Sequence, residues 1–258
     1  MKKKIIYLLI ILGSALNLST LSHAGSWYIR GSISGEWSRF ADFFDRDSTA
    51  TNPPALFGTT PGSDGRSIGA YGDFGRFVGF EGAVGAYILP WLRMDLSPNY
   101  RPHMEYSGQA NFAGVTGAQP VYATASSASL MCNIFIEPIR LAGFSPGRFR
   151  PYLGGGLGLA YNRIDGMTYL FPGLKVHKIS ITPSGKKIDR AFMVTVGTVI
   201  DLSKKVFLDV AYRYTDLGRV RTEAGRMYMN NLPAGIEISE TLTRLEAHGI
   251  FLGLGYSF

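Results

Sequence analysis

The chain has 258 residues, a formal charge of +7, 46% hydrophobic and 13% aromatic residues, and one cysteine, Cys132. A lone cysteine excludes an internal disulfide framework, and no segment beyond the N-terminus approaches the roughly 20 continuous apolar residues of a membrane-spanning helix. The apolar content must therefore lie in residues that alternate with polar ones, and the mild positive charge implies anionic neighbours without singling one out.

Lys2, Lys3 and Lys4 precede an apolar stretch from Ile5 to Leu18, interrupted by Gly13, Ser14 and Asn17. Ser22-His23-Ala24 then supplies small residues at the two positions read before a cut. This predicts a secretory signal peptide over residues 1–24, cleaved after Ala24, because the apolar run is short for a membrane anchor. Residues 25–258 predict a single domain.

That domain reads as eight alternating segments. The first, Trp27 to Trp37, sets Trp27, Ile29, Ile33 and Trp37 against Tyr28, Arg30, Ser32, Ser34 and Glu36. The second, Phe74 to Ala86, sets Val78, Phe80 and Val84 against Gly79, Glu81, Ala83 and Gly85. In the third, Leu92, Met94, Leu96, Tyr100, Met104 and Tyr106 alternate with Arg93, Asp95, Ser97, Asn99, Arg101, His103 and Glu105. The fourth runs from about Ala123 to Ile136, with Cys132 as an apolar filler, and the fifth from Phe149 to Asn162. The sixth covers Arg190 to Asp201, and the seventh Val206 to Thr215, with Asp209, Ala211 and Arg213 on its polar side. The eighth ends the chain and reaches back to about Thr243.

Connections alternate in length. Residues 38–73, 107–122, 163–189 and 216–242 are long, 87–91 and 202–205 are tight, and 137–148 is intermediate. An even strand count with alternating tight and long links predicts an all-β fold: an eight-stranded antiparallel transmembrane β-barrel, an up-and-down meander with both termini periplasmic and the long loops external. Aromatic residues near strand ends (Trp27, Tyr87, Trp91, Phe207, Tyr256 and Phe258 at one rim, Trp37, Tyr100, Tyr106, Tyr161 and Tyr214 at the other) predict two girdles at headgroup level.

The inward face carries both signs of charge: Arg30, Glu36, Glu81, Arg93, Asp95, Arg101, Glu105, Asp209 and Arg213. In so narrow a barrel, facing charges pair and fill the lumen as a structural network; the rival reading is a small pore. Inward glycines, among them Gly79, Gly253 and Gly255, make room for larger neighbours. A third and less favoured reading is a lipid-modifying barrel enzyme, but His103 with Glu105 and any of several serines is a nonspecific set, so no catalytic residue is expected and the chain does not read as an enzyme. Asp45-Arg46-Asp47 lacks the spacing of a calcium loop, and the scattered histidines with one cysteine make no zinc pattern, so neither metal nor cofactor is expected. Lys175, His177, Lys178, Lys186 and Lys187 in the third loop, and Arg219, Arg221 and Arg226 in the fourth, are candidate contacts for lipopolysaccharide phosphates or an anionic host ligand, set against ordinary solvated loop charge. No motif points to nucleic acid.

The last ten residues, GIFLGLGYSF, place Ile250, Leu252, Leu254, Tyr256 and Phe258 on one face and mostly small residues on the other. A terminal Tyr-x-Phe strand resembles the sorting signal of bacterial outer-membrane barrels, which implies the barrel-assembly machinery as a partner during insertion. With Arg150-Pro-Tyr-Leu-Gly-Gly-Gly-Leu-Gly-Leu-Ala160 and Asp209-Val-Ala-Tyr-Arg-Tyr214, the chain resembles the small outer-membrane β-barrel proteins of the OmpX/opacity-protein type. The resemblance implies an eight-stranded barrel among outer-membrane lipid and lipopolysaccharide, often a surface antigen or adhesin, and it transfers no catalytic residue.

Overall fold

A computed structural model describes residues 27–115, 117–173 and 178–258. The export signal expected over residues 1–24 lies outside them. No described helix is long and apolar enough to cross a membrane. Strands β1 (Trp27–Ser38), β2 (Phe44–Asp45), β3 (Ala70–Asp73), β4 (Arg76–Leu89), β5 (Leu92–Ala110) and β6 (Gln119–Ile136) are followed by one short helix, α1 (Pro138–Leu141). Then come β7 (Phe149–Ile164), β8 (Thr168–Phe171), β9 (Lys178–Ile181), β10 (Gly185–Asp201), β11 (Val206–Arg221), β12 (Gly225–Met229), β13 (Leu232–Ile238) and β14 (Thr241–Ser257).

All fourteen strands join one antiparallel sheet, where the sequence predicts eight. The count is corrected by β2, β3, β8, β9, β12 and β13, which fold from stretches expected to be loops. Runs such as Thr168–Phe171 and Lys178–Ile181 are rich in β-branched and aromatic residues but too short to stand out as alternation. Among the long strands, β1 pairs with β14 on one side and β4 on the other. Pairing continues through β5, β6, β7, β10 and β11, and β11 returns to β14. This path therefore has no free edge.

The alternation of the sequence becomes a two-faced wall. Trp27, Ile29, Ile33 and Trp37 are 38–50% exposed on the outside of β1, while Tyr28, Arg30, Ser34 and Glu36 are buried inside. On β14, Ile250, Leu252, Leu254 and Tyr256 point outward, as does Phe258 just beyond its end. So broad an exposed apolar belt suits an apolar medium, not water. Strands β5 and β6 run to 19 and 18 residues. A tilted membrane strand needs roughly 9–11, so their far halves project past the belt. There β3 pairs with β5, β2 with β14, and β8, β9, β12 and β13 continue from β6, forming a lobe at the end of the long connections.

The phase of β5 changes along its length. The register to β6 shifts between Arg101 and Met104: β5 advances three residues while β6 advances two, so one extra residue is spent. Beyond this bulge Met104 and Tyr106 turn inward and are buried, while His103 and Glu105 turn outward. Tyr106 is thus not a girdle residue: it packs edge-on against Phe43 at 5.1 Å and Phe74 at 5.3 Å. Phe207, also expected on a girdle, is buried edge-on against Tyr28 at 5.8 Å.

Glycines on β14 admit what β1 and β11 send inward. A Cβ on Gly255 would stand 2.1 Å from the Phe207 ring, and one on Gly249 would stand 2.5 Å from Glu36 Cγ. Replacing Gly255 by Val is expected to overpack this seam and cost about 1–3 kcal/mol. Thermal unfolding of the detergent-solubilised protein, followed by circular dichroism, measures the drop; an unchanged midpoint counts against the packing described.

Candidate functional site

The interior is layered from the turn end to the lobe. Lowest, Glu137 at the head of α1 bonds Arg150 at 3.0 Å, and Arg150 reaches Asp201 at 2.9 Å. Next come Tyr28, Phe135, Tyr152 and Phe207, with the Arg93 guanidinium 4.4 Å from the centres of both the Phe135 and Tyr152 rings. Arg93 makes one ion pair, to Asp209 at 3.3 Å, and the rings take the rest of its charge.

Arg30 stands at the centre. It bonds Asp209 at 2.5 Å, Glu81 at 2.9 Å and Asp95 at 3.2 Å, so three strands converge on the guanidinium that β1 supplies. Arg213 bonds the other oxygen of Glu81 at 2.5 Å and lies 3.9 Å from the centre of the Phe251 ring. Hydroxyls and an amide complete the carboxylates: Tyr152 donates to Asp209 at 2.6 Å, Tyr28 to Asp95 at 2.9 Å and Asn133 to Asp95 at 2.7 Å. One layer higher, Arg101 forks onto Glu36 at 3.0 and 2.9 Å, and Ser34 donates to Glu36 at 2.7 Å.

Of the nine charged residues expected inside, eight are buried in these layers: Arg30, Glu36, Glu81, Arg93, Asp95, Arg101, Asp209 and Arg213. Glu105 does not. The bulge in β5 carries it outside, where its carboxylate meets exposed His103 at 3.0 Å, and both side chains are more than half exposed. Tyr28, Tyr152 and Asn133 were not anticipated as partners, although their inward parity was legible. The Glu137–Arg150–Asp201 set was missed because Glu137 belongs to a connection with no period. Among the described residues no group of His, Cys, Asp or Glu could hold a metal ion.

Above the ion pairs aromatic and aliphatic side chains gather, with buried Gln119, Asn162 and Thr241 among them. Phe43, Phe57, Phe74, Met104, Tyr106, Val121, Tyr169 and Leu245 are buried there. The first long connection is tucked in by its own polar contacts. Asp45 accepts from the backbone N–H of Leu56, Phe57 and Gly58, and Asn111 donates to Asp64 at 2.7 Å while accepting from the Gly69 N–H at 2.8 Å. Asn111 and Arg66 together hold the Asp64 carboxyl at about 2, below the usual carboxylate range.

The candidate anion contacts are separated by their partners. Arg219 pairs with Asp189 at 2.6 Å, Arg221 with Glu240 at 2.9 Å and Arg226 with Glu237 at 3.6 Å. Lys186 and Lys187 lie near the start of β10, and Lys186 stands directly opposite Arg163 of β7. Lys178 begins β9, and Lys175 and His177 lie outside the described residues.

A family model described as outer membrane protein beta-barrel domain matches residues 5–258. The chain has no match among curated proteins. Among solved structures it is similar to the outer membrane protein OprG from Pseudomonas aeruginosa, with 14% identity, 91% of this chain and 96% of that chain covered, and a TM-score of 0.48. It is also similar to Neisserial surface protein A, with 14% identity, 92% and 100% covered, and a TM-score of 0.38. The outer membrane protease OmpT from Escherichia coli aligns with 10% identity, 93% and 98% covered, and a TM-score of 0.45. Likeness at this level carries no assignment of activity.

Two outcomes are expected of this site. Glu36→Gln leaves buried Arg101 without its counter-charge and should cost about 3–5 kcal/mol in urea unfolding, whereas replacing both residues by Met should recover most of that loss. Recovery failing in the double variant would show that more than charge pairing is at stake. Asp64 has a folded pKa below its unfolded value of about 3.9, so its contribution is present above that pH and lost as the pH falls through about 2. An NMR titration of its carboxyl carbon should have a midpoint near 2 that rises in Asn111→Ala.

Proposed function

Because the chain belongs to the outer membrane β-barrel domain family, we propose that it is an integral outer-membrane protein acting as a surface-exposed interaction protein, an antigen or adhesin, through the lobe at its loop end. The eight long strands are the membrane wall, an up-and-down ring. Residues 1–24 are the cleaved export signal. Both termini and the tight turns face the periplasm, and the lobe faces outward.

The observation that carries this reading is the filled interior. Four arginines and four carboxylates pack across the ring beneath a buried aromatic and aliphatic layer. Their charges balance, and a solute would have to break several buried ion pairs to pass. Function is thereby moved to the outer surface. The lobe offers a surface for a partner: the β12–β13 hairpin lies at one end of the sheet, with Tyr228, Leu232 and Ile236 40–53% exposed.

At the wall, Lys186 stands opposite Arg163, which Asp165 meets at 3.5 Å, and a phosphate of outer-leaflet lipopolysaccharide is the anion that Lys186 receives. Arg219, Arg221 and Arg226 are neutralised by carboxylates and drop back to structural roles. The closing strand, Ile250 to Phe258, is the part presented to the assembly machinery.

Planar-bilayer recording should give no regular single-channel steps. Steps that disappear in Arg93→Ala would overturn the filled-lumen reading. Cells displaying the protein should adhere to host-cell monolayers more than cells lacking it, and replacing residues 225–238 by a tight turn should remove the difference. Equal adherence of the two displayed forms would remove the hairpin from the interaction.

A further inference from the structure

At the turn end, away from the lobe, a cavity of about 780 Å³ opens between the 137–148 connection and the 202–205 turn. Arg140, Arg148, Arg150, Lys204 and Lys205 line it, and Asp201 is the one acidic side chain in the lining. Arg150 is committed to Glu137 and Asp201, and Arg140 lies 3.3 Å from Glu137. Arg148, Lys204 and Lys205 have no acidic partner among the described residues. Strand pairing fixes the backbone that carries them: Asp201 N–H donates to the Arg148 carbonyl at 2.9 Å, and Ser257 N–H donates to the Lys205 carbonyl at 2.7 Å. Two connections, distant in sequence, therefore hold three cations without a carboxylate partner around one concavity, Lys205 also lying 5.6 Å from the centre of the Tyr256 ring, and this concentrates positive potential there.

Exposed apolar side chains stand beside these cations in the lining: Phe258 is 68% exposed and Leu202 56%. A soluble anion gains nothing from such neighbours, whereas basic and apolar side chains together fit a membrane interface, where the former meet headgroups and the latter meet acyl carbons. The volume lies in the range of small-molecule sites.

We propose that this cavity binds a phosphate group, supplied by an anionic phospholipid of the periplasmic leaflet. Arg148, Lys204 and Lys205 contact the phosphodiester, while Leu202 and Phe258 cover the adjoining glycerol and first acyl carbons. Arg150, already paired, shapes the floor. This inference rests on the orientation proposed above, with the tight turns on the periplasmic side.

The test uses the full chain in mixed micelles of phosphatidylglycerol and phosphatidylcholine, with retained lipid counted by native mass spectrometry. Wild-type protein should keep phosphatidylglycerol in preference to phosphatidylcholine. In R148Q/K204Q/K205Q that preference should fall, by about fivefold for each charge removed. L202S should lose phosphatidylglycerol as well. Equal retention of the two lipids by wild type, or an undiminished preference in the triple variant, overturns the site. Inorganic phosphate that displaces phosphatidylglycerol at equal concentration, with L202S unaffected, overturns the lipid as its source. Gel mobility before and after boiling is read on every sample. A lost heat shift in wild type reports failure of the barrel reading, and a retained shift without lipid preference reports failure of this inference alone.

Discussion

A backbone amide in hydrocarbon has no water to bond, and that requirement makes the pairing of β14 with β1 the contact on which everything else depends. Without it the path through the long strands would have two unpaired edges. With it, every long strand has a neighbour on each side. Side chains are then free to divide by face alone. The small inward face of β14 serves the same closure, since Gly249 and Gly253 lie where Glu36, Ser32 and Arg30 project from β1.

Closure leaves a narrow interior, and the charges there decide whether the ring is stable. One uncompensated buried ion costs about 3–5 kcal/mol, a large part of the 5–15 kcal/mol by which a domain is stable at all. Arg30 avoids this cost by meeting three carboxylates, and each of those carboxylates has at least one further partner. Arg93 takes another course and lies between aromatic rings. Polar and aromatic layers alternate through the ring, so each bears on the next.

Much of this was legible because period-2 alternation is a direct imprint of a wall with two faces. Arg30, Glu81 and Asp209 could be assigned inward from parity alone. Parity fails where the backbone departs from a regular strand. Pro102-His103 hides a bulge, and beyond it Met104, Tyr106, His103 and Glu105 all exchange faces. The lobe was illegible for another reason. Its strands are as short as two residues, and they form because β5, β6 and β14 continue upward and offer edges to pair with. Neither condition is local, so no window of sequence carries it. The family match establishes an outer-membrane barrel, and the loop-end chemistry is where this chain has its own character.

The central ion cluster also has a bearing on timing. Its charges come from β1, β4, β5 and β11, with a hydroxyl from β7, so it draws on both ends of the chain and cannot be completed by any subset of consecutive hairpins. An unfinished sheet would have to carry solvated ions into hydrocarbon. The same residues that seal the finished ring therefore reach full pairing only when β11 stands with Asp209 beside Arg30 and Arg93.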